Sequence, residues 1–172
     1  MARNVEIKAR VSDLGALEQR VAGLADSGPE LIIQDDTFFN CPQGRLKLRA
    51  FPDGSGELIA YARPDVHGPS TCQYSLTPVP QAAQMTAALS TALGTMGRIR
   101  KERRLYLAGP TRIHLDRVAD LGTFMELEVV LRPDQDMAEG EAQARDLMAR
   151  LGVKEEDLVD VAYMDLLLNE VT

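Results

Sequence analysis

The stretch from Thr111 to Leu131, TRIHLDRVADLGTFMELEVVL, decides how this chain is interpreted. It predicts two strands joined by a short turn at Asp120-Leu121-Gly122, with ionisable residues alternating with aliphatic ones. The ionisable residues are Arg112, His114 and Asp116 in the first strand, and Glu126 and Glu128 in the second. Because side chains alternate across a strand, each strand has one apolar face and one ionisable face. A solvated outer face gives the same pattern, so one hairpin alone does not place these charges.

The same alternation recurs in other segments of the chain. It is found in Asn4 to Val11, in GRLKLRAF, in Glu57 to Arg63 and in the charge-dense segment from Arg98 to Leu107. The cations on these polar faces include Lys8, Arg45, Lys47, Arg49, Arg63, Lys101, Arg103 and Arg112. The acidic residues on them are Glu6, Asp116, Glu126 and Glu128. Cations in such excess indicate an anionic ligand.

Composition and charge restrict the class of protein. The chain has 172 residues, 45% hydrophobic and 26% charged, which predicts a single domain over 1–172. The formal net charge of -7 argues against a nucleic-acid-binding protein. No apolar run is long enough to span a bilayer, and the first residues lack the apolar core of a signal peptide. The two cysteines, Cys41 and Cys72, fit neither a disulfide framework nor a zinc site, so we expect a cytoplasmic protein.

Helical patterns separate the strands and favour an α+β fold. Ser12 is predicted to cap a helix in which apolar residues recur at helical spacing from Leu14 to Leu24, and an apolar strand is predicted from Leu31 to Phe39. Further helices are expected from Pro80 to Leu93 and from Glu139 to Leu151. The last helical stretch, around Tyr163 to Leu168, is expected to pack on the sheet. The apolar faces of such helices require an apolar sheet surface to cover. The charged strand faces are then left to line a groove or the interior of a closed barrel.

The residue types on these faces suit a metal-bound polyphosphate. Arginine binds phosphate oxygens through its planar fork, and lysine binds them as a point charge. Carboxylates would repel phosphate directly, but they hold Mg²⁺ or Mn²⁺, which bridge protein oxygens to phosphates.

Eight segments along the chain are informative together: VEIKAR, QDDTFF, GRLKLR, ELIAYARPD, IRKERRLYL, TRIHLD, LGTFMELEVVL and YMDLLL. In this order and spacing they resemble the CYTH superfamily of triphosphate tunnel metalloenzymes, in particular its bacterial class IV adenylyl cyclase-like branch. The resemblance covers nearly the whole chain. It implies a closed antiparallel β-barrel of about eight strands that forms a polar tunnel with flanking helices.

The resemblance also implies roles for individual residues. Glu6 and Lys8 match the last two members of the family's ExExK signature, which implies catalytic roles, and Lys8 would also contact the triphosphate. The implied metal ligands are Glu6, Asp116, Glu126 and Glu128. Phosphate contacts are implied for Arg45, Lys47, Arg49, Lys101, Arg103 and Arg112, and Arg63 on the polar face of its strand is expected to join them. His114 is interpreted as a polar tunnel residue hydrogen-bonded to a neighbouring carboxylate.

Two residues depart from the family pattern. The first glutamate of ExExK is Asn4 here, which removes one carboxylate from the metal end. Ser70 stands where relatives often carry a lysine after Gly-Pro, which removes one phosphate contact.

Three functions are therefore weighed, all with a small-molecule triphosphate as ligand. The first is a class IV adenylyl cyclase-like lyase that acts on ATP or another organic triphosphate with Mg²⁺ or Mn²⁺. The second is a triphosphatase that acts on tripolyphosphate, thiamine triphosphate or a nucleotide, and the third is a catalytically weak binding module. No nucleic acid or membrane partner is expected, and a homodimer is left open.

Overall fold

The computed structural model describes residues 2–62 and 70–171, and these residues form eight strands and four helices. The strands are β1 Ala2–Arg10, β2 Ser27–Phe39, β3 Arg45–Ala50, β4 Gly56–Ala62, β5 Ser70–Val79, β6 Thr95–Ala108, β7 Thr111–Val118 and β8 Gly122–Val130. The helices are α1 Leu14–Leu24, α2 Ala82–Leu93, α3 Met137–Arg150 and α4 Tyr163–Val171. Arg63 lies outside the described residues, as does the side chain of Ser70.

The eight strands close into an antiparallel ring in the order β1-β5-β4-β3-β2-β6-β7-β8. The ring closes because β1 pairs with β5 on one side and with β8 on the other. The β7–β8 hairpin has the predicted turn, in which Asp120 and Gly122 adopt positive φ angles of 67° and 113°. The predicted closed barrel with flanking helices is confirmed.

The aliphatic faces of β1, β7 and β8 point outward and are covered by α1 and α3. Val5, Ile7 and Ala9 of β1 are at most 1% exposed and share one core with residues of α1 and α3. Helix α3 approaches β1 closely at Gly140, where a Cβ atom would lie 2.9 Å from Val5 Cγ2. This arrangement leaves the polar strand faces for the interior of the ring, as the alternation predicted.

Two boundaries near the start of the chain differ from the sequence prediction. Asp13, rather than Ser12, caps α1, because its carboxylate accepts a hydrogen bond of 3.0 Å from the Ala16 amide. The helix ends at Leu24, and β2 begins at Ser27, earlier than the predicted start at Leu31. The added residues of β2 pair with the end of β6, so tertiary pairing extends this strand beyond its apolar run.

Helix α4 closes one end of the ring. The segment before it is tied to β1, since the Val159 amide donates a hydrogen bond of 2.9 Å to the carbonyl oxygen of Lys8. Within α4, Met164 is fully buried in a cluster with Ile99, near the start of β6, and Phe124, near the start of β8. Among the described residues, none of the helices is both long and apolar enough to cross a membrane.

Candidate functional site

A cavity of about 290 Å³ runs through the ring and is lined by side chains from all eight strands and from Tyr163 of α4. Six of the eight cations expected to bind phosphate line it. These are Lys8, Lys47, Arg49, Lys101, Arg103 and Arg112. Of the other two, Arg63 is not described, and Arg45 lies at the start of β3, where its Nη2 contacts Asp165 Oδ1 of α4 at 2.5 Å. The structure therefore brings most of the predicted phosphate-binding cations together, whereas Arg45 is paired with Asp165 of the helix that closes the tunnel.

Asp36 holds two of these cations. Arg49 donates two hydrogen bonds to it, from Nε to Oδ1 and from Nη2 to Oδ2, each 2.9 Å long, and Lys47 Nζ lies 3.0 Å from Oδ2. Burial alone would raise the pKa of Asp36, but Arg49 and Lys47 hold it far below its usual value. Asp36 is thus an ionised, buried carboxylate that fixes the positions of Lys47 and Arg49.

The sequence analysis missed Asp36 because it treated the Leu31 to Phe39 segment only as an apolar strand. The signal that would have found it is the strand register, in which Asp36 stands opposite Arg49.

Asp116 and Arg103 form a second buried pair. Arg103 donates two hydrogen bonds of 2.7 Å to the carboxylate of Asp116, and the Tyr163 hydroxyl donates a third, of 2.8 Å. The desolvation that would raise the pKa of Asp116 is outweighed by Arg103, so the pKa lies well below its usual range. Asp116 was predicted as a metal ligand, but here both of its oxygens are committed to Arg103 and Tyr163.

The strand register brings the remaining acidic residues together. On β8, Glu126 stands opposite Lys8 of β1 and His114 of β7, while Glu128 stands opposite Glu6. Ligand atoms of His114, Glu126 and Glu128 all lie within 4.8 Å of one another. We call these three residues the acidic cluster.

The electrostatics of the acidic cluster fit a divalent cation. Burial, with the neighbouring charges of Glu126 and Glu6, raises the pKa of Glu128 to about 7. Burial would also raise the pKa of Glu126, but Lys8 and Arg103 hold it well below its usual range. Crowded carboxylates of this kind are stabilised by a bound cation, and their oxygens are the donors that Mg²⁺ and Mn²⁺ prefer.

His114 behaves differently from the sequence prediction. Its Nδ1 is buried without a hydrogen-bond partner among the described residues and lies 4.0 Å from Glu128 Oε1, too far for a hydrogen bond. Burial and the nearby Arg103 lower the pKa of the imidazole well below its usual value, so the ring is neutral, the form that binds metal. An unpaired, neutral imidazole nitrogen beside two carboxylates could serve as a ligand for the same cation, a role that the sequence analysis did not assign.

Tyr163 contributes the aromatic part of the site. The centre of its ring lies 3.8 Å from Lys8 Nζ and 5.0 Å from Lys101 Nζ, and at these distances a cation is attracted to the ring face. The sequence showed only a helix that packs on the sheet, because nothing in the pattern of α4 distinguishes a tunnel residue from a core residue.

Two further side-chain oxygens in the cavity are buried and have no hydrogen-bond partner among the described residues: Asn4 Oδ1 and Gln34 Oε1. Buried polar atoms are usually paired. Asn4 therefore offers a neutral oxygen, where the family pattern has a carboxylate, to whatever occupies the tunnel.

A family model and one known protein both match nearly the whole chain. The family model described as the CYTH domain matches residues 2–163. An adenylate cyclase CyaB of Aeromonas hydrophila is 27% identical over 181 residues, which cover 98% of this chain and 90% of that protein.

Solved structures share the fold. A protein of Pyrococcus horikoshii OT3 superposes with a TM-score of 0.86 at 23% identity, covering 95% of this chain and 98% of its own. A putative adenylyl cyclase of Hippeastrum, described as having a dominant triphosphatase activity, has a TM-score of 0.69 at 14% identity and covers 97% of this chain and 96% of its own. At these identities the structures show a shared fold and no more.

Proposed function

The chain belongs to the CYTH domain family, and from this premise we propose that it binds a triphosphate and a divalent metal ion together and converts the triphosphate as a class IV adenylyl cyclase does. The observation that carries the proposal is the composition of one cavity. Six cations line it, and the acidic cluster lines it too. A site for phosphates alone would not need carboxylates, and a site for metal alone would not need the cations.

The cations supply the phosphate-binding part of the site. Lys101 and Arg103 on β6 and Lys47 and Arg49 on β3 project into the same cavity. Burial and the neighbouring Arg103 and Arg49 lower the pKa of Lys101 well below its usual value. A bound polyanion would offset this repulsion between cations, which favours a ligand with several negative charges.

The acidic cluster, with Glu6 beside it, would hold Mg²⁺ or Mn²⁺. When bound, the metal supplies positive charge to phosphate oxygens in the transition state. Lys8, opposite Glu126 in the register, is positioned to neutralise charge on the same phosphate group.

In the proposed reaction the ribose 3′-oxygen of a nucleoside triphosphate attacks the α-phosphorus, and pyrophosphate leaves. The 3′-hydroxyl gives up its proton, for which we assign Glu6 as the acceptor, because its carboxylate lines the cavity. Positioning and charge stabilisation by the cations account for the remaining catalysis.

A second candidate is hydrolysis of the same triphosphate by a positioned water. The triphosphatase activity described for the Hippeastrum protein, which shares this fold, favours its inclusion. The same residues would bind the phosphates, and the two reactions differ in which phosphorus lies beside the metal.

The test is a phosphorus NMR time course with Mg²⁺, run separately on ATP and on tripolyphosphate. Cyclic nucleotide with pyrophosphate is the expected product from ATP. Orthophosphate release would replace the lyase by the hydrolase. Absence of both product and binding, with either ligand, would overturn the proposed function.

A further inference from the structure

Arg112 of β7 contacts a residue of the acidic cluster. It stands opposite Glu128 of β8 in the register. Its Nε donates a hydrogen bond of 3.1 Å to Glu128 Oε2, and its Nη2 forms an ion pair of 3.0 Å with the same oxygen. The edge of the guanidinium that carries these two nitrogens is therefore engaged by a carboxylate rather than open to a phosphate.

The contact uses only one of the two carboxylate oxygens of Glu128. The other oxygen, Oε1, lies 4.0 Å from His114 Nδ1, on the side of the acidic cluster. The terminal torsion of a glutamate is only weakly restricted, so a carboxylate without a partner adopts many orientations. The bonds from Arg112 to Oε2 restrict this rotation and leave Oε1 for a cation.

The charges around Glu128 give Arg112 a second effect. The like charges of Glu126 and Glu6 repel the Glu128 carboxylate, whereas the charge of Arg112 attracts it. In the metal-free chain this attraction offsets part of the repulsion, so the carboxylates stay together before a cation binds. Carboxylates that bind metals are commonly held by such outer hydrogen bonds, and loss of these bonds weakens metal affinity.

Arg112 is in turn held from another wall of the tunnel. Tyr74 of β5 lines the cavity, and β1 and β8 separate β5 from β7 in the ring. Burial would lower the pKa of Arg112, but the charge of Glu128 and a hydrogen bond with Tyr74 raise it. The guanidinium thus lies between Glu128 and Tyr74, which limits the positions that it can give to Glu128.

We propose that Arg112, held by Tyr74, is a positioning residue of the metal site. It keeps Glu128 oriented with Oε2 on the guanidinium and Oε1 on the side of His114. This inference rests on the proposed function, because it needs the acidic cluster to hold a metal ion. It replaces the phosphate contact that the family resemblance implied for Arg112.

The test measures metal affinity and phosphate affinity separately. Arg112→Lys keeps the positive charge but loses the planar fork, so the Mn²⁺ affinity of the full chain without triphosphate should fall by about tenfold. Tyr74→Phe changes no charge and should lower the Mn²⁺ affinity by about two- to tenfold through the lost hydrogen bond. Electron paramagnetic resonance follows the Mn²⁺ titration. Neither substitution should alter the affinity for tripolyphosphate, measured by calorimetry in EDTA, which also shows that the tunnel remains folded.

Each substitution has a matched control. Arg117→Lys makes the same change on the exposed outer face of the same strand. Tyr61→Phe makes the same change at a residue that stands opposite Tyr74 and also lines the cavity. Both controls should leave the Mn²⁺ affinity unchanged.

The outcomes separate this inference from the proposed function. Unchanged Mn²⁺ affinity in Arg112→Lys or in Tyr74→Phe would overturn the inference. So would a loss of tripolyphosphate affinity as large as the loss of Mn²⁺ affinity, since it would indicate a phosphate contact or a disturbed tunnel. If the unsubstituted chain binds tripolyphosphate but no Mn²⁺, the metal part of the proposed function fails and the inference fails with it.

Discussion

Lys8 Nζ lies 3.8 Å from the centre of the Tyr163 ring, so a residue of the closing helix forms part of the wall of the cationic tunnel. The hydroxyl of the same tyrosine donates to Asp116, which is held by Arg103. One side chain of α4 therefore contacts both a cation of β1 and the buried ion pair between β6 and β7. Loss of this side chain should affect the stability of the fold and the arrangement of the cations together.

Tyr163→Leu tests this connection. It removes both the ring contact with Lys8 and the hydrogen bond to Asp116, so we expect the free energy of unfolding to fall by about 1–3 kcal/mol. Tyr163→Phe keeps the ring and loses only the hydrogen bond, so its loss should be about 1 kcal/mol. Denaturant unfolding measures both. Equal losses in the two variants would show that the ring contact with Lys8 contributes nothing.

Lys101→Met tests the phosphate-binding role of the tunnel cations. Lys101 is buried and lines the cavity, so its removal should weaken triphosphate binding by about 1.5–3 kcal/mol, the range for hydrogen bonds to charged groups. Arg104→Met, on the exposed face of the same strand, is the control and should leave binding unchanged. Calorimetric titration with tripolyphosphate measures the affinity of both variants. If the two variants bind equally well, Lys101 has no part in the site.

Glu128→Gln tests the acidic cluster. The substitution removes one of the three crowded carboxylates Glu6, Glu126 and Glu128, so Mn²⁺ affinity should fall by at least about tenfold, the lower range seen when groups that support a metal site are lost. The metal-free chain should lose little stability, because relief of the repulsion from Glu126 and Glu6 offsets the loss of the ion pair between Glu128 and Arg112. Mn²⁺ titration followed by electron paramagnetic resonance measures the affinity, with Glu102→Gln on the exposed face of β6 as control. An unchanged Mn²⁺ affinity would remove Glu128 from the metal site.

Asp36→Asn tests the buried ion pairs of β2 and β3. Breaking a buried pair leaves charges uncompensated, so the free energy of unfolding at pH 7 should fall by about 3–5 kcal/mol. The folded-state pKa of Asp36 lies below the unfolded value of about 3.9. The contribution of ionised Asp36 to the free energy of unfolding is therefore present above about pH 4 and is lost as the pH falls below that value.

The difference in stability between the unsubstituted chain and Asp36→Asn should accordingly shrink between pH 7 and pH 3 in urea unfolding. Asp35→Asn is the control, because Asp35 pairs with Arg98 on the outer face, where an ion pair contributes about 1 kcal/mol or less. A difference that stays constant with pH would contradict the assignment of an ionised Asp36.

The closed barrel was predicted through the resemblance to the CYTH superfamily, and the inward direction of its charges was predicted from the strand alternation and the helices. Strict alternation in segments such as Arg45–Ala50 assigns each residue to one face, and apolar helix faces such as that of α1 must cover an apolar surface. Together, the alternation and the helices assign the apolar face of the sheet to the outside and the polar face to the inside. Lys47 and Arg49 therefore line the cavity as expected.

The pairings inside the tunnel could not be predicted in this way. Whether Asp116 binds metal or Arg103 depends on which strand lies beside β7 and in what register, which alternation within one strand does not contain. The same is true of Asp36 with Arg49. Tyr163 enters the tunnel through the docking of α4, so its role depends on tertiary contacts alone.

Crystals soaked with Mn²⁺ and tripolyphosphate test the central claim most directly, because anomalous diffraction locates manganese without ambiguity. The account predicts an anomalous peak between His114, Glu126 and Glu128, with phosphate density in contact with it and with Lys101 and Arg103. A manganese peak outside this cluster, or phosphate density outside the tunnel, would contradict the account.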